Sequence, residues 1–303
     1  MDESSRSLSV MNVELAVRER YSKAVAQCDD SLCCPTSYSP EFLAVLPAEV
    51  VERDYGCGDP TKYVHTGETV VDLGSGAGKA CFIMAQIVGP KGRVIGVDCN
   101  LEMLALARRH RQAVAERLGY ANVEFRCGMI QDLRLDLDRL ASALAGNPVA
   151  DQADWLRLRD LEESLRRTEP MIADVSVDCV VSNCVLNLVR REDRRQLLSE
   201  VFRVLKPGGR AAISDIVANC DVPESLQRDP QLWSGCISGA EREDRFVKSF
   251  AAVGFDEPRI ETPQTTPWRI IEGIEFRAVT VIAQKGATAL VAPRNTASRM
   301  EIS

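Results

Sequence analysis

The sequence has little of what acid–base enzymes and nucleic-acid-binding proteins commonly use. Only two of its 303 residues are histidines, His65 and His110, and the formal net charge at pH 7 is −7. Non-specific binding of nucleic acid needs an excess of basic residues to neutralise phosphates, so the acidic balance argues against a nucleic-acid partner. With so few histidines, the sequence also offers no obvious general base, although a tyrosine or an aspartate could serve as one.

Long apolar runs and Cys-x-x-Cys pairs are also missing. No run approaches the roughly 18 apolar residues of a membrane-spanning helix, and the first 20 residues lack the apolar stretch of a signal peptide. Without a Cys-x-x-Cys pair, a zinc ribbon or finger is not predicted. The eleven cysteines are an odd number in a long chain, unlike a small secreted disulfide scaffold. We therefore expect a cytoplasmic protein with no membrane partner.

Strand-like and helix-like segments alternate through the middle of the chain. Strands separated by helices pair in parallel through right-handed crossovers. This alternation predicts the α/β class, with a Rossmann-like doubly wound parallel sheet between about residues 60 and 220. The predicted strands are 68–74, 92–98, 122–128, 177–185 and 210–217, and the helices between them are 78–89, 101–119 and 191–205.

Three parts are predicted along the chain. Residues 1–59 form an N-terminal helical segment with a cysteine loop, residues 60–239 the core, and residues 240–303 a small C-terminal domain with a frayed tail. Within the core, residues 134–172 interrupt the alternation and repeat Leu, Arg and Asp at helical spacing, which predicts an inserted helical pair. Outside the core, helices are predicted at 5–27, 40–53 and 240–253, and a strand at 276–284.

A glycine-rich run, "VVDLGSGAGKA", follows the first predicted strand. Its glycines, beginning with Gly74 and Gly76, allow the backbone to approach a ligand, and the following helix offers free N–H groups. Asp98 ends the next strand, where a carboxylate can bind ribose hydroxyls. The run departs from the Gly-x-Gly-x-x-Gly pattern of dinucleotide sites. The run therefore predicts a ligand that contains a nucleotide, and it does not by itself distinguish a dinucleotide from other such ligands.

Three cysteines lie in predicted loops or at strand ends. Cys57 stands in "DYGCGDP", Cys184 follows "VVSN" at the carboxyl end of a strand, and Cys236 stands in "LWSGCISGA". Taken alone, Cys184 would be interpreted as a buried structural thiol, but open α/β sheets bind ligands at this edge. Three thiolates without histidine suit a soft three-coordinate ion better than tetrahedral zinc. Trivalent arsenic is such an ion, and its lone pair can attack a methyl carbon without removal of a proton.

The motifs together resemble one enzyme family. "DLGSGAG" and "VLKPGGR" are similar to motifs of class I S-adenosylmethionine-dependent methyltransferases. "DYGCG", "DLGSGAGK", "VVSNCVLNLV" and "LWSGCISGA" resemble motifs of arsenite S-adenosylmethionine methyltransferases, over about residues 18–286. The resemblance implies that residues 60–239 bind S-adenosylmethionine and that the protein methylates trivalent arsenic, supplied as thiol complexes. It also implies cellular thiols as partners, and we expect a monomer.

The resemblance also implies roles for particular residues. Cys57, Cys184 and Cys236 would bind the arsenic, and Cys33 or Cys34 would pair with Cys57 during redox turnover, with glutathione or thioredoxin as the electron source. Asp72 would lie near the methionine end of the cofactor, Asp98 would hold the ribose, and Ile130 with Gln131 would lie beside the adenine. The full set of predicted cofactor-binding residues is Asp72, Gly74, Ser75, Gly76, Asp98, Cys99, Ile130 and Asn183.

Two departures from the family's pattern leave questions open. The insertion at 134–172 is longer than the family's usual linker, and the adjacent pair Cys33 and Cys34 replaces a single expected cysteine. Two other functions also remain as alternatives. One is methylation of a carbon or oxygen in a small organic molecule, for which the three cysteines would matter little. The other is a non-catalytic thiol protein that sequesters or senses soft metals, which the glycine run and Asp72 argue against.

Overall fold

The chain folds around a single mixed sheet. The structure is a computed structural model and describes residues 13–26, 38–53, 55–263 and 265–287. Its strands are ordered β3-β2-β1-β4-β5-β9-β7, with β6 beside β5 and β8 beside β9. The strands are β1 Thr69–Leu73, β2 Arg93–Asp98, β3 Val123–Cys127, β4 Val177–Asn183, β5 Leu205–Ala218, β6 Glu241–Arg242, β7 Asp256–Pro263, β8 Arg269–Ile271 and β9 Ile274–Gln284.

Helices cover both faces of this sheet. In the described part of the chain they are α1 Val13–Ala26, α2 Pro40–Leu43, α3 Ala48–Glu52, α4 Lys79–Val88, α5 Leu101–Leu118, α6 Leu137–Gly146, α7 Gln152–Thr168, α8 Arg194–Val204, α9 Glu224–Gln227, α10 Pro230–Ser234 and α11 Glu243–Ala251. The helix predicted over 40–53 is in fact the pair α2 and α3, because Pro47 lies between them and interrupts helical hydrogen bonding. None of the described helices is long and apolar enough to cross a membrane.

The parallel strands confirm the predicted Rossmann-like α/β fold. β1 pairs in parallel with β2 and β4, and β5 pairs in parallel with β4. Alternate side chains enter two separate apolar clusters: Val71 faces one cluster, whereas Val70 faces the other. Because Leu73 lies opposite Ser182 at the ends of β1 and β4, the loops that follow these two strands meet at the same edge of the sheet.

The C-terminal strands extend this sheet. β9 pairs antiparallel with β5 from Ala218↔Phe276 to Arg210↔Gln284, and β7 pairs with the other side of β9. A small domain is predicted for residues 240–303, but the strands of its described part lie in the same sheet as the core. The physical reason is that β9 is apolar and buried along most of its length, so it needs cover on both faces, as a central strand does.

The insertion contains the predicted helical pair, α6 and α7. Asp136 and Asp151 cap the two helices, and Asp154 completes a capping box with Asp151. No residue of α7 is buried, so the second helix lies on the surface, with Trp155 and Leu156 exposed. The insertion therefore adds a surface hairpin and does not interrupt the sheet.

Candidate active site

A cavity of about 170 Å³ lies at the edge of the sheet where β1, β2 and β4 end. The loops after these strands line it, and α1 contributes Val17, Arg18 and Tyr21 to its wall. Ile130 and Gln131, which are predicted to lie beside an adenine, face it together. All the residues predicted to bind the cofactor line this one cavity: Asp72, Gly74, Ser75, Gly76, Asp98, Cys99, Ile130 and Asn183.

The carboxylate of Asp98 organises the glycine-rich loop. The Gly76 N–H donates to Asp98 Oδ2 at 2.8 Å, and the Asn100 N–H donates to Oδ1, also at 2.8 Å. Burial raises the pKa of Asp98 above its ordinary value, and these main-chain donors oppose the shift. The carboxylate is thus fixed at the end of β2 by the same loop that lines the cavity, at the position predicted from the sequence to bind a ribose hydroxyl.

The glycine loop packs directly against the loop that carries Cys184. Gly74 has a positive φ of 70°, and a Cβ on it would lie 2.5 Å from Val185 Cγ1. Both facts require glycine at this position. The contact places the residue after Cys184 against the cofactor loop, so the two predicted sites share a wall.

Two polar groups in the cavity favour a polar, partly cationic ligand. Ser75 Oγ is buried and has no hydrogen-bond partner among the described residues, although such buried groups are normally satisfied. Asp72 is buried beside the cavity and accepts a hydrogen bond from Cys81 Sγ at 3.2 Å. A ligand with hydroxyl groups and a positive charge would pair with these side chains, and S-adenosylmethionine has both. The residues present therefore fit this cofactor.

The three candidate thiols are buried in one apolar cluster. Cys57, Cys184 and Cys236 are each at most 5% exposed and pack with Ile216 and Phe276. Ligand atoms of Cys184, Cys236 and the Asp215 carboxylate lie within 4.8 Å of one another, a group that does not include Cys57. Of the three cysteines, Cys184 lines the cofactor cavity. Two thiols are therefore adjacent, with the third in the same cluster, while Cys33 and Cys34 lie outside the described residues.

The backbone is strained at both adjacent thiols. Cys184 has φ 63° and Cys236 has φ 64°, in the left-handed region that favours glycine. Each such residue costs roughly 1–2 kcal/mol and persists only where its surroundings hold it. The Cys184 N–H donates to Ser214 O at 2.7 Å, and Cys236 Sγ lies 3.2 Å from Cys184 O. The fold thus accepts strain at the two positions whose thiols approach each other.

Asn183 anchors the segment that carries Cys57. Its Oδ1 accepts from the N–H groups of Cys57 and Gly58, at 2.9 and 3.1 Å. Its Nδ2 donates to Gly58 O at 2.7 Å and to the Tyr38 hydroxyl at 3.1 Å. The side chain, predicted to bind the cofactor, lines the cavity, but its amide groups are already used to fix the Cys57 loop beside the end of β4.

Comparisons with known proteins identify the family of this chain. The sequence profile of a family described as a methyltransferase domain matches residues 64–163 and 156–254. A crystal structure of an arsenic(III) S-adenosylmethionine methyltransferase from Chlamydomonas reinhardtii is 30% identical, with a TM-score of 0.65. The match covers 83% of this chain and 76% of that one. This chain belongs to the arsenite methyltransferase family.

Curated arsenite methyltransferases are similar over most of the chain. The protein from Aquipseudomonas alcaligenes is 36% identical over 256 residues, which is 82% of this chain and 64% of the relative. The protein from Mus musculus is 31% identical over 242 residues, 78% of this chain and 55% of the relative. The chain therefore spans between about half and two thirds of the length of these arsenite methyltransferases.

Two residues of this site are not predicted from the sequence. Asp215 is buried, with a carboxylate oxygen within 4.8 Å of the Cys184 and Cys236 thiols, and Tyr21 lines the cavity from α1. Burial, followed by the proximity of Cys236 and Cys184, raises the pKa of the Tyr21 phenol well above its ordinary value. The available signal for Asp215 was a single acidic residue in the apolar strand "AAISDIVA". For Tyr21 the sequence carries no comparable signal.

The pKa of Asp215 gives a pH-dependent stability in this member of the arsenite methyltransferase family. Burial raises the pKa of Asp215 from 3.8 to about 6, against main-chain hydrogen bonds that lower it. Between these two values the folded state holds a proton that the unfolded state has released, so stability falls as the pH rises. Relative to Asp215→Asn, the wild type should lose roughly 2–3 kcal/mol of unfolding free energy between pH 4 and pH 7.5.

Urea unfolding of both proteins at a series of pH values measures this difference. The asparagine variant has a constant offset from its altered hydrogen bonds, and only the slope of the difference against pH reports on the carboxyl group. A difference that stays flat across this range would show that Asp215 ionises as easily in the folded protein as in the unfolded chain.

Proposed function

We propose that the protein methylates trivalent arsenic from S-adenosylmethionine while Cys57, Cys184 and Cys236 hold the arsenic. One observation carries the proposal: Cys184 lines the cavity that fits the cofactor, and its thiol is adjacent to the thiol of Cys236. A single residue therefore belongs to both the cofactor site and the soft-ligand cluster. An arsenic atom bound there would lie next to the methyl donor, and this proximity supplies a large part of the rate enhancement.

The protein's own residues hold the two reactants in place. S-adenosylmethionine, when bound, supplies an electrophilic methyl group on a sulfonium. We assign binding of the cofactor's ribose to Asp98 and binding of its methionine end to Asp72. The buried hydroxyl of Ser75 would give the cofactor an additional polar contact. Val185 packs against Gly74 and sets the distance between the cofactor loop and the Cys184 thiol. The apolar surroundings of the thiols exclude water from the attacking arsenic.

The proposed methyl transfer requires no general base. Arsenic bonded to three sulfurs keeps a lone pair, which forms the As–C bond as the C–S bond to the sulfonium breaks and its electron pair stays on sulfur. Neither histidine lines the cavity: His65 contacts Glu68 and Arg210, and His110 contacts Glu49 at 2.9 Å. The scarcity of histidine is consistent with chemistry in which no proton leaves the nucleophile.

The redox step concerns Cys57. Formation of the As–C bond formally removes two electrons from arsenic, and two thiolates that join as a disulfide return them. We assign that disulfide to Cys57 with either Cys33 or Cys34, and its reduction to glutathione or thioredoxin. In support, Cys57 is the member of the three that lies outside the adjacent pair, so it can leave the arsenic while Cys184 and Cys236 keep it.

The deciding experiment is an assay of the purified protein with arsenite, S-adenosylmethionine and a thiol reductant. We expect methylated arsenicals by chromatography with elemental detection, and none when any one component is omitted. Arsenite binding without binding of S-adenosylmethionine would instead indicate a thiol protein that sequesters soft metals. Cofactor binding with no effect of arsenite on the melting temperature would indicate a methyltransferase for organic molecules.

A further inference from the structure

We infer that Asn187 is a positioning residue that sets the separation of the Cys184 and Cys236 thiols. The inference deepens the proposed function and rests on it for its meaning in catalysis. Asn187 is 1% exposed and lies three residues after Cys184, in the short 3-10 turn Leu186–Leu188. Among the described residues, Asn187 forms no hydrogen bond with either thiol. Its effect on the thiols must therefore pass through the loops that it joins.

The side-chain amide of Asn187 connects three parts of the chain. Its Nδ2 donates to Asp215 Oδ1 at 2.8 Å and to Ile216 O at 2.6 Å, and one of the two hydrogens is shared with Cys236 O over a longer 3.4 Å. Its main-chain N–H donates to Asp215 Oδ2 at 3.2 Å. Strand β5, the loop after β4 and the Cys236 loop are thus joined at one buried amide.

The main chain of Asn187 is held equally closely. Arg194 on α8 donates from Nη2 to Asn187 O at 3.3 Å and is itself paired with Glu241. On the other side, a Cβ on Gly239 would lie 1.9 Å from Asn187 O. The segment that follows Cys236 therefore packs against this carbonyl with no room for a side chain, and the two cysteine loops are in contact at Asn187.

Backbone strain explains why such a connection is needed. Both cysteines hold left-handed φ values, which a non-glycine residue leaves if its surroundings permit. Asn187 fixes the Cys184 loop to β5 and contacts the carbonyl of Cys236 itself. Without the amide, we expect each loop to relax separately, and the distance between the thiols to become variable.

The test compares Asn187→Ala with a matched control, Asn122→Ala. The Nδ2 of Asn122 also donates to two main-chain carbonyls, Ala85 O and Gly89 O. Asn122 precedes β3, so it lies at the opposite ends of the strands from the cavity. The probe is phenylarsine oxide, which bridges two thiols, measured by titration calorimetry. Asn187→Ala should bind it at least about tenfold more weakly, an affinity loss of about 1.4 kcal/mol, and keep wild-type affinity for S-adenosylmethionine. Asn122→Ala should lose thermal stability and keep both affinities.

Wild-type affinity for phenylarsine oxide in Asn187→Ala would overturn the inference, and so would an equal loss of both affinities, which indicates general damage to the fold. If the alanine variant does not fold, Asn187→Ser, which keeps one donor, decides in the same way through a smaller but selective loss. Wild-type protein that binds phenylarsine oxide but yields no methylated arsenic would refute the proposed function alone.

Discussion

Serine in place of Cys184 is expected to lower the rate of arsenite methylation by at least about 100-fold, while the affinity for S-adenosylmethionine changes by less than about twofold. A hydroxyl oxygen is a hard, weak ligand for a soft ion that prefers thiolate. The substitution leaves the main chain and the size of the side chain nearly unchanged. The other residues that line the cavity are unchanged, and serine keeps the size of the side chain at position 184, so the loss should fall on the arsenic step.

Cys179→Ser is the matched control for this variant. Cys179 lies on the same strand, β4, and is fully buried, and its Sγ is 4.0 Å from Tyr63 O, away from the cavity lining. We expect the control to lose stability, because a hydroxyl replaces a buried thiol, and to retain methylation at temperatures where it is folded. Initial rates and calorimetric titrations of both variants give the comparison. Full activity of Cys184→Ser would remove this thiol from the proposed mechanism.

The sequence is informative where local chemistry fixes the structure. The parallel strands are apolar runs bounded by turn residues, so β1, β2 and β4 agree with the predicted segments to within two residues. The positions of the glycine-rich loop and Asp98 follow from the same logic, because the carboxyl ends of parallel strands meet at one edge, whereas the roles predicted for Asp72 and Ile130 are implied by the family resemblance. The sequence alone therefore predicts that Gly74 and Asp98 lie close together.

The remaining features depend on contacts between distant segments. The donation from Asn187 to Asp215 spans 28 residues, and a local pattern does not show which distant groups an asparagine contacts. The left-handed backbone of Cys184 and Cys236 is likewise imposed by tertiary contacts, since cysteine has no preference for it. Arg20 on α1 donates hydrogen bonds to Gln231 O and Ser234 Oγ, in the segment that precedes Cys236. Helix α1 therefore covers a site that its own sequence does not indicate.

Alanine in place of Gly74 should disturb the cofactor loop and the thiol loop together. The new Cβ would meet Val185 Cγ1 and Cγ2 at 2.5 and 2.6 Å, and the residue keeps a φ of 70°. The left-handed backbone costs roughly 1–2 kcal/mol, and overpacking costs roughly 1–3 kcal/mol more. We therefore expect about 2–5 kcal/mol less unfolding free energy by urea titration, with weaker binding of both S-adenosylmethionine and phenylarsine oxide.

Gly119→Ala separates the two causes. Gly119 ends α5 with φ 81°, and a Cβ there would meet nothing within 4 Å, so it should show only the roughly 1–2 kcal/mol cost of the backbone. A second change, Val185→Ala, removes the two methyl groups that Gly74→Ala would meet. The double variant should therefore lose less stability than the sum of the single variants. A Gly74→Ala protein as stable as Gly119→Ala, with both affinities intact, would show that the cofactor loop and the Cys184 loop move independently.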